Sequence, residues 1–169
     1  SGKCGADVSD IIDALRWASG LPACQVSDGQ GQCLKFAVDN PTPARIVNLS
    51  FGGTGSCDPY NAVIEELRLR GALVVASAGN RRAEPSRPAK CAGVVGVTAL
   101  NRDGFKAGYA SFGPALQATG LATVGGDDPE GSWGSLADDG LLTVFNGGYE
   151  APGAAAYGRH FGTSFAAPL

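Results

Sequence analysis

The feature that most constrains the fold is a pair of short, largely apolar runs, Arg45 to Leu49 and Leu73 to Ala78, separated by a stretch with helical character. Runs that are mainly apolar, without a regular alternation with polar residues, belong to strands covered on both faces. In the stretch between them Asp58 is a capping residue, Pro59 suits a first helical turn, Ala62, Val63, Leu67 and Leu69 supply apolar contacts, and Gly71 ends the helix. Strand, helix and strand at this spacing make a βαβ unit of a parallel sheet. Gly93 to Leu100, rich in valine and small residues, predicts a third strand. The fold class expected is α/β, with three layers, α/β/α, around a mostly parallel sheet.

The remaining segments are placed around that unit. Asp7 to Gly20 predicts a helix: Asp7 or Ser9 caps it, Ile11, Ile12, Leu15 and Ala18 recur at helical spacing, and Gly20 ends it. Leu21 to Pro43 is rich in Pro, Gly, Ser, Asp and Gln and predicts a surface loop, with Cys24 and Cys33 close enough in sequence for a short bridge. Ser50 to Gly55 is a glycine-rich turn where the backbone can approach another group closely. Beyond Asn101 the chain is glycine-rich, with strands expected near Tyr109 to Phe112 and Leu141 to Phe145 and long loops around Gly125 to Gly140. The last eight residues, GTSFAAPL, predict a glycine turn entering a helix.

Composition removes several classes of function. Thirteen basic and sixteen acidic residues, for a formal charge of −3 and without a long like-charged run, carry no nucleic-acid or membrane-surface signature. Apolar runs fall far short of the roughly 20 residues that cross a bilayer. Five cysteines and a single histidine, His160, show no zinc-binding spacing. Disulfides, and hence secretion into an oxidising compartment, are the favoured reading of these cysteines; buried free thiols in a reducing compartment are the alternative. The odd count leaves one cysteine over.

A serine preceded by Gly-Thr and followed by small residues at a helix start lies where free backbone N–H groups and the helix dipole favour negative charge. That environment suits a nucleophile, and Ser164 is the candidate; taken alone, the same segment reads first as an ordinary helix cap. The chain, however, carries three motifs in one order, VNLSFGG, LVVASAGN and GTSFAAPL, that resemble those of the subtilisin family. GKCGADVSDIIDALRWA, PAKCAGVVGVTALNRDG and YASFG are also similar to segments of that family, so the resemblance runs along nearly the whole chain.

The resemblance implies a serine endopeptidase acting on protein or peptide substrates. Ser164 would be the nucleophile, and its backbone N–H with the side-chain amide of Asn80 would form the oxyanion hole. Read without the other motifs, Asn80 is a turn residue after Gly79, since Asn tolerates left-handed geometry. Ser50, Phe51, Gly52 and Gly53 would pair with an extended substrate backbone, while Ser77, Ala78 and Gly79 would line the pocket for the residue before the scissile bond. Arg81, Arg82, Glu84 and Arg87 either bias that pocket or belong to a solvated loop. The family resemblance further implies the disulfide Cys57–Cys91, which with the short bridge Cys24–Cys33 leaves Cys4 to pair outside this segment. Calcium is common in the family, but no ligand cluster is legible here, so no metal site is assigned.

The departures are equally specific. The family's H-G-T-H and D-[ST]-G motifs, which carry its base and acid, precede the first segment seen here, and neither is present. His160, four residues before Ser164, reads as a loop residue in the wrong context for a base. The expectation is therefore a partial subtilisin-like peptidase domain over residues 1–169, lacking the N-terminal half with its Asp and His motifs and the end of the nucleophile helix, and inactive alone. Phe165 stands where the family often has methionine, which implies resistance to peroxide. A non-catalytic peptide-binding module of the same fold is the alternative. A serine-carboxyl peptidase is opposed by Asn80, and an α/β-hydrolase by the lack of a G-x-S-x-G elbow.

Overall fold

The computed structural model describes residues 5–28, 30–128, 138, 140–148 and 151–169. The βαβ unit forms as expected: β3 (Ile46–Leu49), α2 (Asp58–Leu69) and β4 (Leu73–Ser77). With β5 (Val94–Leu100) and β6 (Leu121–Val124), these strands make a four-stranded sheet in the order β3-β4-β5-β6, parallel throughout. Register places Asn48 beside Val75 and Val75 beside Val95, so the strands end together at their C-terminal edge.

Strand alternation distributes the apolar residues to two cores. Val74, Ala76 and Val94 face one side, where they meet Leu15 of α1 (Val8–Ala18) and Tyr60, Val63, Ile64 and Leu67 of α2. Val75, Val95, Val97 and Ala99 face the other, against Ala107, Tyr109, Ala110 and Ala166. Ala166 belongs to α3 (Thr163–Ala166), a short helix that packs on β4, β5 and β6. The three layers are thus α1 and α2, the sheet, and α3. At Gly96 the sheet tolerates no side chain: a Cβ there would lie 2.6 Å from the carbonyl oxygen of Ala89 and collide with Leu116.

Three local expectations are corrected. Leu21 to Pro43 is not only loop; it contains an antiparallel hairpin of β1 (Cys24–Ser27) and β2 (Cys33–Phe36), closed by the Cys24–Cys33 disulfide. The Asp28 carboxylate fixes its turn by accepting the N–H groups of Gln30 and Gln32. Both strands are largely exposed, so no alternation marked them in sequence. Tyr109 to Phe112 is not a strand, because it runs irregularly beside the loop after β4: Arg82 N–H donates to Tyr109 O, Ser111 N–H to Gly79 O, and Phe112 N–H to Ala83 O. The fourth strand of the sheet is instead β6, too short between Gly120 and Gly125 to signal itself. Finally, Ala155–His160 is a strand, β8, paired antiparallel with β7 (Leu141–Asn146), so His160 ends a strand and is not a loop residue. Most of the loop expected around Gly125 to Gly140 lies outside the described residues, as does Cys4.

The C-terminal helix ends follow the sequence signals, whereas at the N-terminal ends Asp7 precedes α1 without a capping hydrogen bond and Asp58, expected as a cap, is the first residue of α2 after Cys57. Gly20 and Gly71 adopt φ of +74° and +75° directly after α1 and α2, the left-handed geometry that glycine permits. A second disulfide, Cys57–Cys91, ties the start of α2 to the loop before β5. No helix among the described residues is long and apolar enough to cross a membrane.

Candidate active site

The candidate residues meet at the C-terminal edge of the sheet, the end at which open α/β sheets hold their ligands. Ser50 directly follows β3, and Ser77 ends β4, with Ala78, Gly79 and Asn80 in the turn beyond. Gly162 to Ser164 enter α3 between these two strand ends. Gly79 (φ +110°) and Gly162 (φ +155°) both have backbone geometry unfavourable to other residues, and these two turns bring the segments together.

Ser164 is half-buried, and two hydrogen bonds tie it to Ser50. Its hydroxyl donates to the Ser50 carbonyl (2.9 Å), and the Ser50 hydroxyl donates to the Ser164 carbonyl (2.8 Å). Asn48 supports the pair by donating from Nδ2 to Ser50 Oγ (2.9 Å). Among the described residues no imidazole or carboxylate bonds to the Ser164 hydroxyl. His160 instead stacks on Phe165 (5.8 Å between centroids) and lies 5.3 Å from the Phe145 ring.

The amide of Asn80 is oriented by Thr163. Asn80 Oδ1 accepts from Thr163 N–H (3.0 Å) and from Thr163 Oγ1 (2.8 Å), while Thr163 Oγ1 itself accepts from Gly79 N–H (3.0 Å). Thr163 is fully buried, so its hydroxyl is held in one place. With both bonds on Oδ1, the Asn80 NH₂ is turned the other way, towards Gly162. A Cβ on Gly162 would lie 3.1 Å from Asn80 Nδ2 and 3.8 Å from Ser164 N. The space beside Gly162 is therefore flanked by two N–H donors, and neither meets an acceptor among the described residues. An oxygen acquiring negative charge there would find both.

Two backbone segments run out from this point. One is Ser50 to Gly53, exposed from Phe51 onward. Gly53 pairs with Arg87, its N–H donating to Arg87 O (2.9 Å) and its carbonyl accepting from Arg87 N–H (3.1 Å). Alternation along an extended strand then turns the N–H and C=O of Gly52 the other way, where they have no partner among the described residues. The other segment is Ser77 to Gly79, with Ser77 and Ala78 buried. Ser86 stands between the two: its hydroxyl donates to Ala78 O (3.3 Å), and a Cβ on Gly52 would collide with it.

Sequence reasoning left out Thr163, Ser86 and Tyr109. Tyr109 supports the entry to α3 from below: its hydroxyl bonds to the carbonyls of Gly125 (3.1 Å) and Gly126 (2.8 Å), and Gly125 O accepts Gly162 N–H (3.0 Å). Burial raises the pKa of this phenol above its ordinary value, and the Asp127 carboxylate adds to the effect. Nothing in a single sequence marks a tyrosine as such a support. No group of three or more His, Cys, Asp or Glu side chains suited to a metal ion occurs among the described residues.

Fold and site together define an α/β protein in which a serine hydroxyl and two converging N–H donors sit at the end of a parallel sheet. The chain belongs to the subtilase family, whose sequence profile matches residues 1–169. It is 34% identical, over 99% of its length, to an extracellular protease of Xanthomonas campestris, and 32% identical, again over 99%, to an extracellular basic protease of Dichelobacter nodosus. Among solved structures it superposes on a protease of Pseudoalteromonas arctica with a TM-score of 0.78 at 34% identity, covering 99% of this chain. The chain spans about a quarter of each curated relative (25% and 24%) and 45% of the solved chain.

Proposed function

We propose that this segment is the nucleophile-bearing part of a secreted serine endopeptidase. Ser164 Oγ attacks the carbonyl carbon of the scissile peptide, its proton passes to a base, and the carbonyl electron pair moves onto oxygen. That oxyanion takes hydrogen bonds from Asn80 Nδ2 and Ser164 N–H; collapse expels the amine with a proton and leaves an acyl-enzyme, which water then hydrolyses. The observation that carries this reading is the pair of hydrogen bonds that Thr163 N–H and Oγ1–H donate to Asn80 Oδ1, which leaves the Asn80 NH₂ facing the nucleophile's turn. A preset donor of this kind stabilises the transition state more than the ground state.

The substrate backbone lies along Ser50 to Gly53, hydrogen-bonding to the outward N–H and C=O of Gly52. The residue before the scissile bond enters the slot between that edge and Ser77 to Gly79, with Ser86 at its base. The base and the acid that orients it come from a segment preceding Ser1, so the 169-residue chain alone is inactive. Family motif order and the greater length of the relatives support this, as does β3: it is an edge strand on which apolar Ile46 is 66% exposed, a seat for a further strand. Secretion is supported by the two disulfides and by the extracellular relatives.

The test is reaction of the complete protein with a fluorophosphonate probe, followed by peptide mapping, beside the isolated chain. Labelling of Ser164 in the complete protein alone is expected. Labelling in neither overturns the reading in favour of a peptide-binding module without catalysis.

A further inference from the structure

β3 reads Ile-Val-Asn-Leu, and Asn48 is the polar residue in an otherwise apolar strand. Alternation divides the side chains: Val47 and Leu49 pack into the core with α1 and α2, whereas Asn48 and Ser50 share the opposite face, the one turned to α3. Ser164 lies there, in the first turn of α3, and its carbonyl oxygen lacks a partner within its own helix. The residue before it follows the helical rule, Thr163 O accepting from Ala167 N–H (3.0 Å). The next donor in turn would be residue 168, a proline, which has no N–H. The Ser50 hydroxyl supplies the missing donor (2.8 Å).

That tie decides the direction of the hydrogen bonds around Ser50. A carbonyl only accepts, so the one proton of the Ser50 hydroxyl is committed to Ser164 O, and a further group that bonds to Ser50 Oγ must itself donate. Asn48 does so through Nδ2 (2.9 Å). Its amide thereby holds the hydroxyl at the rotation that reaches Ser164. The Ser164 hydroxyl donates back to the Ser50 carbonyl (2.9 Å), which closes a ring between the two serines.

We infer that Asn48 is a positioning residue for the nucleophile: it aims the Ser50 hydroxyl, which holds the Ser164 carbonyl and with it the first turn of α3. The inference rests on the proposed peptidase reading and adds a residue to its machinery. Ser164 bears both the attacking Oγ and one of the two oxyanion donors, so a tilt of this turn misplaces both at once. Errors of position at reacting atoms cost rate. Without Asn48 the Ser50 hydroxyl can turn away, and Pro168 leaves no helical donor to replace it. Asn48 faces α3 and not the Phe51–Gly53 peptide edge, so substrate binding is spared.

The test is a double-mutant cycle on the complete protein, with kcat and KM measured on titrated enzyme. Asn48→Ala should lower kcat by about three- to fivefold, the scale of one neutral hydrogen bond, with KM unchanged. Ser50→Ala should lower kcat at least as far, and adding Asn48→Ala to it should change kcat by less than about twofold, because the amide acts through that hydroxyl. Asn48→Asp keeps the shape of the side chain but offers acceptors that draw the hydroxyl proton away from Ser164 O, so its kcat should lie below that of Asn48→Ala; the cycle is run with both, and either one that folds suffices. A kcat within about twofold of wild type in the folded variants, or losses at Asn48 and Ser50 that multiply in the double variant, overturns this inference alone while the wild type still cleaves peptides and labels at Ser164. Absence of both cleavage and labelling in the wild type overturns the peptidase reading and this inference with it.

Discussion

Replacing Thr163 with valine separates a catalytic role for Asn80 from a structural one. Valine matches threonine in shape, so the buried site keeps its packing while the hydroxyl is lost. Two hydrogen bonds go with it: the one Oγ1 donates to Asn80 Oδ1 (2.8 Å) and the one it accepts from Gly79 N–H (3.0 Å). Losing the second leaves an unmatched backbone donor in a half-buried turn, worth about 1–3 kcal/mol of stability. In a domain of 150–250 residues that lowers Tm by about 2–4 °C per kcal/mol. Losing the first removes one of the two bonds that orient the Asn80 amide. A neutral hydrogen bond contributes about 1 kcal/mol net, so the preference for the productive orientation drops about fivefold. If the amide acts only on the oxyanion, kcat should fall by up to that factor with KM unchanged. The assay is steady-state hydrolysis of a chromogenic peptide by the complete protein, with active sites counted by titration and Tm measured in parallel. Thr163→Ser, which keeps the hydroxyl, should restore kcat. A titrated kcat for Thr163→Val within twofold of wild type, accompanied by the expected loss in Tm, would refute the reasoning that the Thr163 hydroxyl orients the amide for catalysis.

Two further outcomes are expected. Asn80→Ala should lower kcat by about a hundred- to a thousandfold, the scale already known for loss of the equivalent donor within this family, with little change in KM or in fluorophosphonate binding geometry; steady-state kinetics on titrated enzyme checks this. Tyr109 predicts a specific alkaline limit. Its phenol ionises less readily folded than unfolded, so its contribution is fully present below the ordinary tyrosine pKa of 10.0 and is lost as pH rises beyond it, where the unfolded chain ionises first. Denaturant unfolding of the complete protein from pH 8 to 11 should show a decline above pH 10 that is shallower in Tyr109→Phe. That variant should also be less stable by about 1 kcal/mol at neutral pH, having lost its bonds to Gly125 and Gly126.

The legible parts of the fold were those with local causes. The apolar runs of β3 and β4 announced a parallel sheet because residues that do not alternate in polarity belong to strands covered on both faces, as Val74 to Ser77 are in β4, while β3 lies at the sheet edge. Gly20 and Gly71 announced helix ends because few other residues take the backbone angles those ends need. Ser164 and Asn80 could be named as candidates because each stands in a short motif, but the residues alone left both open as a cap and a turn. The hairpin of Cys24 to Phe36 and the strands β6 and β8 were not legible. Their residues are exposed, or too few between glycines, and a strand with one wet face and four residues carries almost no pattern. The misplaced strand at Tyr109 to Phe112 shows the converse: Tyr109 and Ala110 are buried and the segment bonds to a neighbouring loop, with no ladder, while Phe112 is exposed.

By itself, then, the sequence determined the α/β class, the order of its central strands and helices, and a motif set that resembles one family. What only the tertiary structure decided was which groups face one another. The contact of Thr163 with Asn80 spans 83 residues of chain, and that of Ser164 with Ser50 spans 114. Local propensity acts over a helical turn or a strand pair, whereas an oriented amide or a converging pair of donors exists only once distant strand ends have been brought to one edge by packing of the sheet.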